Sequence, residues 1–174
     1  MAIREILLLG NPKLYEVSQT LRYEELGELK SIVDDLHDTL MDYRSKTGEG
    51  RAIAAPQIGV MKRIIYVNID NRPIVLINPE LTFRNKSKME VWDNCLSFPG
   101  LRVKVERYER CHVEFRGVNW KRYFMELGGD LSELLQHEYD HLNGILAISR
   151  AINEKSFAIK SETESEAAEL QEKI

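Results

Sequence analysis

The segment Gln136-His137-Glu138-Tyr139-Asp140-His141 concentrates more chemistry than any other stretch of this 174-residue chain. On a helix, histidines four positions apart stand on one face a turn apart, so both imidazoles can share a metal ion. Glu138, beside them, can take a proton from a water activated there. A catalytic metal usually keeps three protein ligands and one open position. The chain holds 4 histidines and 2 cysteines, and after His141 only Glu154 and the acids of the tail remain as downstream ligands. Upstream, Cys95 stands in Trp92-Asp93-Asn94-Cys95-Leu96-Ser97-Phe98-Pro99-Gly100, a turn-rich segment expected between strands, from which a thiolate can reach the helix. Alone, Cys95 reads as a small buried apolar residue; the missing third ligand reverses that preference.

Cys95, His137 and His141 are therefore the candidate ligands of one divalent ion per chain. A mixed sulfur and nitrogen set suits Fe2+ or Zn2+, and spacing does not choose between them. Asp140 is a candidate for orienting a ligand from behind, with an ordinary helix-surface role as the alternative. Cys111, His37 and His112 have no partner motif and are read as structural.

The elements that must position these residues are legible in periodicity. Leu26, Leu29, Val33, Leu36 and Leu40 predict a helix from about Tyr23 to Arg44 that stops near Gly48. Ile64 to Val67 and Ile74 to Ile77 read as hairpin strands divided by Asp70-Asn71-Arg72-Pro73. Further strands are expected at Val103 to Val105, Cys111 to Phe115 and Tyr123 to Leu127, mostly antiparallel. A second helix should open near Asp130 and close at Asn143-Gly144, with Leu131, Leu134, Leu135 and Leu142 available for packing. The result is an α+β fold, with largely antiparallel sheets around a central helix that carries the two histidines. Residues 1–152 are expected to form a single catalytic domain, and 153–174 a polar tail, helical or frayed.

Composition narrows the function. A formal charge of -4, spread along the chain, leaves no basic stripe for a phosphate backbone, so nucleic acid is not an expected direct ligand. The apolar run Ile6 to Leu9 is too short for a secretory signal, and no stretch approaches the roughly 20 apolar residues that span a bilayer. A soluble, cytoplasmic protein with reduced cysteines is expected.

Three segments together resemble the peptide deformylase family over roughly residues 1 to 150. Gly50-Arg51-Ala52-Ile53-Ala54-Ala55-Pro56-Gln57 is similar to that family's GxGxAAPQ, Asp93-Asn94-Cys95-Leu96-Ser97 to its EGCLS, and Gln136 to Gly144 to its QHExDHLxG. Their order and the intervening Ile77-Asn78-Pro79-Glu80 agree as well. The resemblance implies removal of the N-formyl group from nascent peptides that begin with formylmethionine, with the ribosome as the expected place of encounter. It assigns stabilisation of the charge on the formyl oxygen to the Gln57 side chain and the Leu96 backbone N–H. It also points to Gly50, Arg51, Ala52, Ile53, Asp93 and Asn94 as substrate-binding. Nothing in the sequence sets the oligomeric state.

The chain departs from the family pattern at Ala52, where a second glycine is usual, and at Asp93-Asn94, where Glu-Gly is usual. Glu133 and Leu134 share the face of His137 and should look toward the metal side, where family members usually carry apolar residues. A buried unpaired carboxylate is costly, so Glu133 should reach solvent or pair with Arg51 or Arg102, and Arg102, Glu133 and Leu134 are further candidate substrate-binding residues. Two alternatives follow: a related hydrolase with an altered N-acyl or formyl preference, and a weakly active metal-holding protein that binds nascent chains. Retention of Gln57 and Glu138 argues against the second.

Overall fold

Helix α1 (Leu26–Thr47) buries Leu29, Leu36 and Leu40 along one face, as their spacing requires. A single 3-10 turn, Tyr23–Glu25, leads into it, and Gly48 ends it in the left-handed conformation (φ 75°). The computed structural model describes residues 2–160.

The larger sheet runs β1-β2-β3-β6-β7, built from β1 (Ala52–Ala54), β2 (Ile64–Ile69), β3 (Arg72–Thr82), β6 (Arg110–Arg116) and β7 (Arg122–Gly128), every pair antiparallel. The β2–β3 turn places Asp70 and Asn71 at φ 51° and 57°, the paired positive values of a two-residue hairpin turn. The smaller sheet runs β4-β5-β8, from β4 (Lys88–Asn94), β5 (Leu101–Tyr108) and β8 (Phe157–Ile159). Helix α2 (Asp130–Leu142) lies against β1 and β5, so it touches both sheets.

Strand β2 is buried on both faces, which is why its sequence reads as a continuous apolar run. Ile64 and Tyr66 join a core with Leu36 and Leu40 of α1, while Ile65 joins a second core with Leu135 and Leu142 of α2. A third cluster, Val103, Val105, Phe98 and Ala147 around Cys95, lies under the smaller sheet. The first core fixes α1 to the large sheet, the second fixes α2 to it, and the third packs Cys95 and the turn at Ala147 against β5.

Three elements differ from the sequence expectation. Strand β1 carries only Ala-Ile-Ala, all buried, with no alternation to mark it. Strand β4 occupies the start of the segment read as turn-rich, so Asp93 and Asn94 are strand residues. The start of the tail is neither helical nor frayed: Phe157–Ile159 pairs with Leu101–Val103 and closes the small sheet, carrying the folded unit beyond residue 152. Residues 161–174 lie outside the described part. Among the described residues no helix is long and apolar enough to cross a membrane.

Candidate metal centre and active site

Two clamps set the rotation of α2. Gln136, just before the first histidine, accepts from Tyr108 N at 2.9 Å and donates to Tyr108 O at 2.9 Å, locking the helix to the end of β5. At the other end Gly144 has φ 68°, and a Cβ there would stand 2.4 Å from the carbonyl oxygen of Tyr15, so only glycine fits. Between the clamps His137 and His141 turn inward, 5% and 1% exposed.

The two imidazoles meet Nε2 to Nε2 at 3.2 Å, and Cys95 Sγ lies 3.2 Å from His141 Nε2. One ligand atom from each of the three residues falls within 4.8 Å of the others. Zinc bonds of about 2.0–2.1 Å to nitrogen and 2.3 Å to sulfur in tetrahedral array imply ligand separations of roughly 3.3–3.6 Å, close to these spacings. The donor set therefore fits a divalent ion. Glu138, wholly buried beside it, leaves Oε2 with no partner among the described residues, as a group reserved for a solvent molecule would. Burial raises the Glu138 carboxyl to about 7, near the working range of a general base.

His137 is held from behind by a residue that the sequence reading had placed on the substrate side. Asp93 Oδ1 lies 2.8 Å from His137 Nδ1, leaving Nε2 for the metal corner. Asp93 is 1% exposed and lies outside the wall of the cleft in front of this corner, its carboxylate being taken up by His137 and Arg107. Burial works against its charge, yet His137 and Arg107 hold its carboxyl down at about 2. The same carboxylate raises His137 against the opposing effect of burial, whereas His141 is pushed down by burial and by its neighbour.

Behind Asp93 runs a buried chain of charges. Arg107 Nη2 donates to Asp93 at 2.7 Å and its Nη1 donates to Asp140 at 2.5 Å. Asp140 also receives two nitrogens of Arg150, at 2.5 and 2.6 Å. Asp140 thus supports His137 at two removes, through Arg107, rather than touching either histidine. No motif flags Arg107 or Arg150; the one local hint was an acid two residues before the candidate cysteine.

Gln57 is fully buried next to the corner. Its Oε1 accepts from Ala54 N at 2.9 Å, while Nε2 lies 3.2 Å from Ser97 Oγ and 3.6 Å from Cys95 Sγ. The amino-terminal segment spans the two motif loops: Leu7 N donates to Gln57 O and Leu9 N to Ser97 O, both at 2.8 Å. The apolar run Ile6 to Leu9 is therefore a brace across the site.

A cleft of about 520 Å3 opens in front of the corner, walled by Cys95, Leu96, His137 and Glu138 and also by Gly50, Arg51, Ala52, Asn94, Glu133 and Leu134. Besides Asp93, two further expected substrate residues are not in its wall. Ile53 points into the core between α1 and the large sheet with no exposed surface, and Arg102 stands in β5 opposite Asn94. Glu133 pairs with Arg51, 3.1 Å away, rather than with Arg102. Burial raises its carboxyl, and the Asp93 charge adds to the effect. Sequence reasoning missed Asn68 and Tyr43, which reach the cleft only because β1, β2 and α1 come together there.

An inward-facing histidine pair on a helix between antiparallel sheets, a thiolate on the adjoining strand end and an acid at the open corner define a metal-dependent hydrolase. The sequence profile described as polypeptide deformylase matches residues 3–157, and the chain belongs to that family. It is 37% identical to peptide deformylase 1 of Prochlorococcus marinus over 94% of this chain and 88% of that one. Among solved structures it is similar to the peptide deformylase of Thermotoga maritima (TM-score 0.80, 29% identity, 88% of this chain and 100% of that chain). The peptide deformylase of Legionella pneumophila is similar too (TM-score 0.78, 34% identity, 86% of each chain).

Proposed function

We propose that this chain hydrolyses the N-formyl group of peptides, nascent chains beginning with formylmethionine among them, using one divalent ion held by Cys95, His137 and His141. The observation that carries this reading is a buried acid with an unpartnered oxygen, Glu138, beside a sulfur and nitrogen donor set of metal-binding dimensions. When bound, the ion lowers the pKa of a coordinated water and polarises the formyl carbonyl.

The remaining work belongs to the protein. Glu138 accepts the proton of the attacking water and delivers it to the departing peptide nitrogen, acting as base and then as acid. Gln57 Nε2 and the Leu96 backbone N–H are the donors for the formyl oxygen as charge develops on it, and one such donor is worth about a hundredfold or more in rate. Asp93 keeps His137 in the tautomer that presents Nε2. The peptide lies in the cleft against Gly50, Ala52 and Asn94. The soft thiolate with two imidazoles favours Fe2+ or Zn2+, and the cytoplasm is where formylated nascent chains arise.

The test is release of formate from a formyl-peptide by protein purified without oxygen and assayed for metal. One ion per chain and steady formate release are expected. Glu138→Ala should lower turnover by at least a thousandfold while the metal content stays unchanged. Metal-replete protein that releases no formate would refute the reading.

A further inference from the structure

The cleft wall beside the reacting corner carries acceptors that its own protein neighbours leave under-used. Glu133 lies one helical turn before His137, with 13% of its side chain exposed. A carboxylate offers about four acceptor positions. The ion pair with Arg51 at 3.1 Å takes up one, and Arg51 is itself 44% exposed and free to shift toward solvent. Asn68, 3% exposed and also part of the wall, donates through Nδ2 to Tyr66 Oη at 3.2 Å and leaves Oδ1 without a partner among the described residues. Leu134 supplies apolar surface next to Glu133.

A substrate side chain entering this part of the cleft displaces water from Glu133 and comes up against the buried, unpartnered Oδ1 of Asn68. A thioether or aliphatic chain covers Leu134 but offers Glu133 and Asn68 no proton. A chain that ends in N–H or O–H covers the same apolar surface and restores the hydrogen bonds. A buried polar group left without its partner costs roughly tenfold or more in specificity.

We propose that Glu133 and Asn68 make this enzyme accept formylated peptides whose first side chain ends in a hydrogen-bond donor at least as readily as formylmethionyl peptides. The inference rests on the deformylase reading above. Arg51 has a defined part in it: it holds Glu133 in the wall when the cleft is empty and yields part of that carboxylate to the incoming donor.

The experiment compares kcat/KM of the metal-loaded full chain on formyl-Xaa-Ala-Ser, with Xaa glycine, methionine, norleucine, glutamine or lysine. The glycine peptide has no side chain and reports deformylation itself; if it and all the others are inert, the deformylase reading fails. The specificity claim is then decided by calorimetric binding of the unformylated glutamine and methionine tripeptides, and weaker binding of the glutamine peptide overturns it. With activity present, a glutamine-to-methionine ratio of one or more is expected, and a ratio below one overturns the proposal. In the double variant Arg51→Leu, Glu133→Leu the ratio should fall about tenfold. An unchanged ratio would remove Glu133 as the cause, and the tripeptide binding on unmodified protein stands whether or not that variant folds.

Discussion

Two ion-paired regions flank the histidine helix, and they are built to opposite specifications. Behind it, Asp93, Arg107 and Asp140 lie 1%, 3% and 5% exposed, and Arg150 closes the chain with two bonds. In front, Arg51 and Glu133 make a single contact, with the arginine nearly half in solvent. Removing charges from water costs several kcal/mol per ion, and the rear network offsets this only because every carboxylate is matched from more than one side. Such a network tolerates little displacement, which suits residues that aim an imidazole. The front pair can open on its exposed arginine side and leaves the carboxylate of Glu133, 13% exposed, for another donor, which suits residues that meet a changing ligand.

The largest test of this contrast is Arg107→Met. It leaves two interior carboxylates short of their shared cation and should destabilise the fold by about 3–5 kcal/mol in chemical denaturation. A loss below about 1 kcal/mol would mean that the rear network is no more demanding than the front.

Next comes the buried acid between the two regions. In metal-free protein the folded-state pKa of Glu138 is raised, mainly by burial, to about 7. The folded state therefore holds a proton that the unfolded chain releases near the ordinary glutamate value. This contribution is fully present below about pH 4.5 and is lost as pH rises through about 7. Metal-free Glu138→Gln should gain on the wild type by on the order of 2–3 kcal/mol between pH 5 and pH 8. An equal difference at the two pH values would show that Glu138 is not held neutral.

Asp93→Asn should keep the fold but weaken metal binding about 10–100-fold in chelator competition, because the brace on His137 Nδ1 loses its charge. Smallest of all, Arg51→Met should change stability by less than about 1 kcal/mol. A larger loss would place the front pair among the structural ones.

Much of this was visible in the sequence because local periodicity and short motifs report local structure. The α1 face, the limits of α2, the β2–β3 turn and the two histidines follow from spacing within a few turns of chain, while Cys95 was reached because a third ligand was missing downstream. What stayed hidden depends on distant partners. Strand β8 has polar neighbours and only three residues, and it exists because β5, far upstream, presents an open edge. Asp93 was recognisable as an acid beside a cysteine, but only the alternation of β4 turns it toward His137 and away from the cleft. Arg107 and Arg150 belong to no pattern, since their significance lies in a carboxylate on another element. Ile53 matched a binding motif, yet in β1 it turns its side chain to the core while Ala52 faces the cleft.

The brace formed by Leu7 and Leu9 also bears on how the molecule comes together. Those two amides reach residues 57 and 97, so this stretch finds its partners only once segments far along the chain are in place. The centre's geometry is thus tied to long loop closures, the slow and entropically demanding class of contact, whereas the α1 face forms from near neighbours. Order at the reactive corner is consequently coupled to whether the stretch from Leu7 to Leu9 has docked.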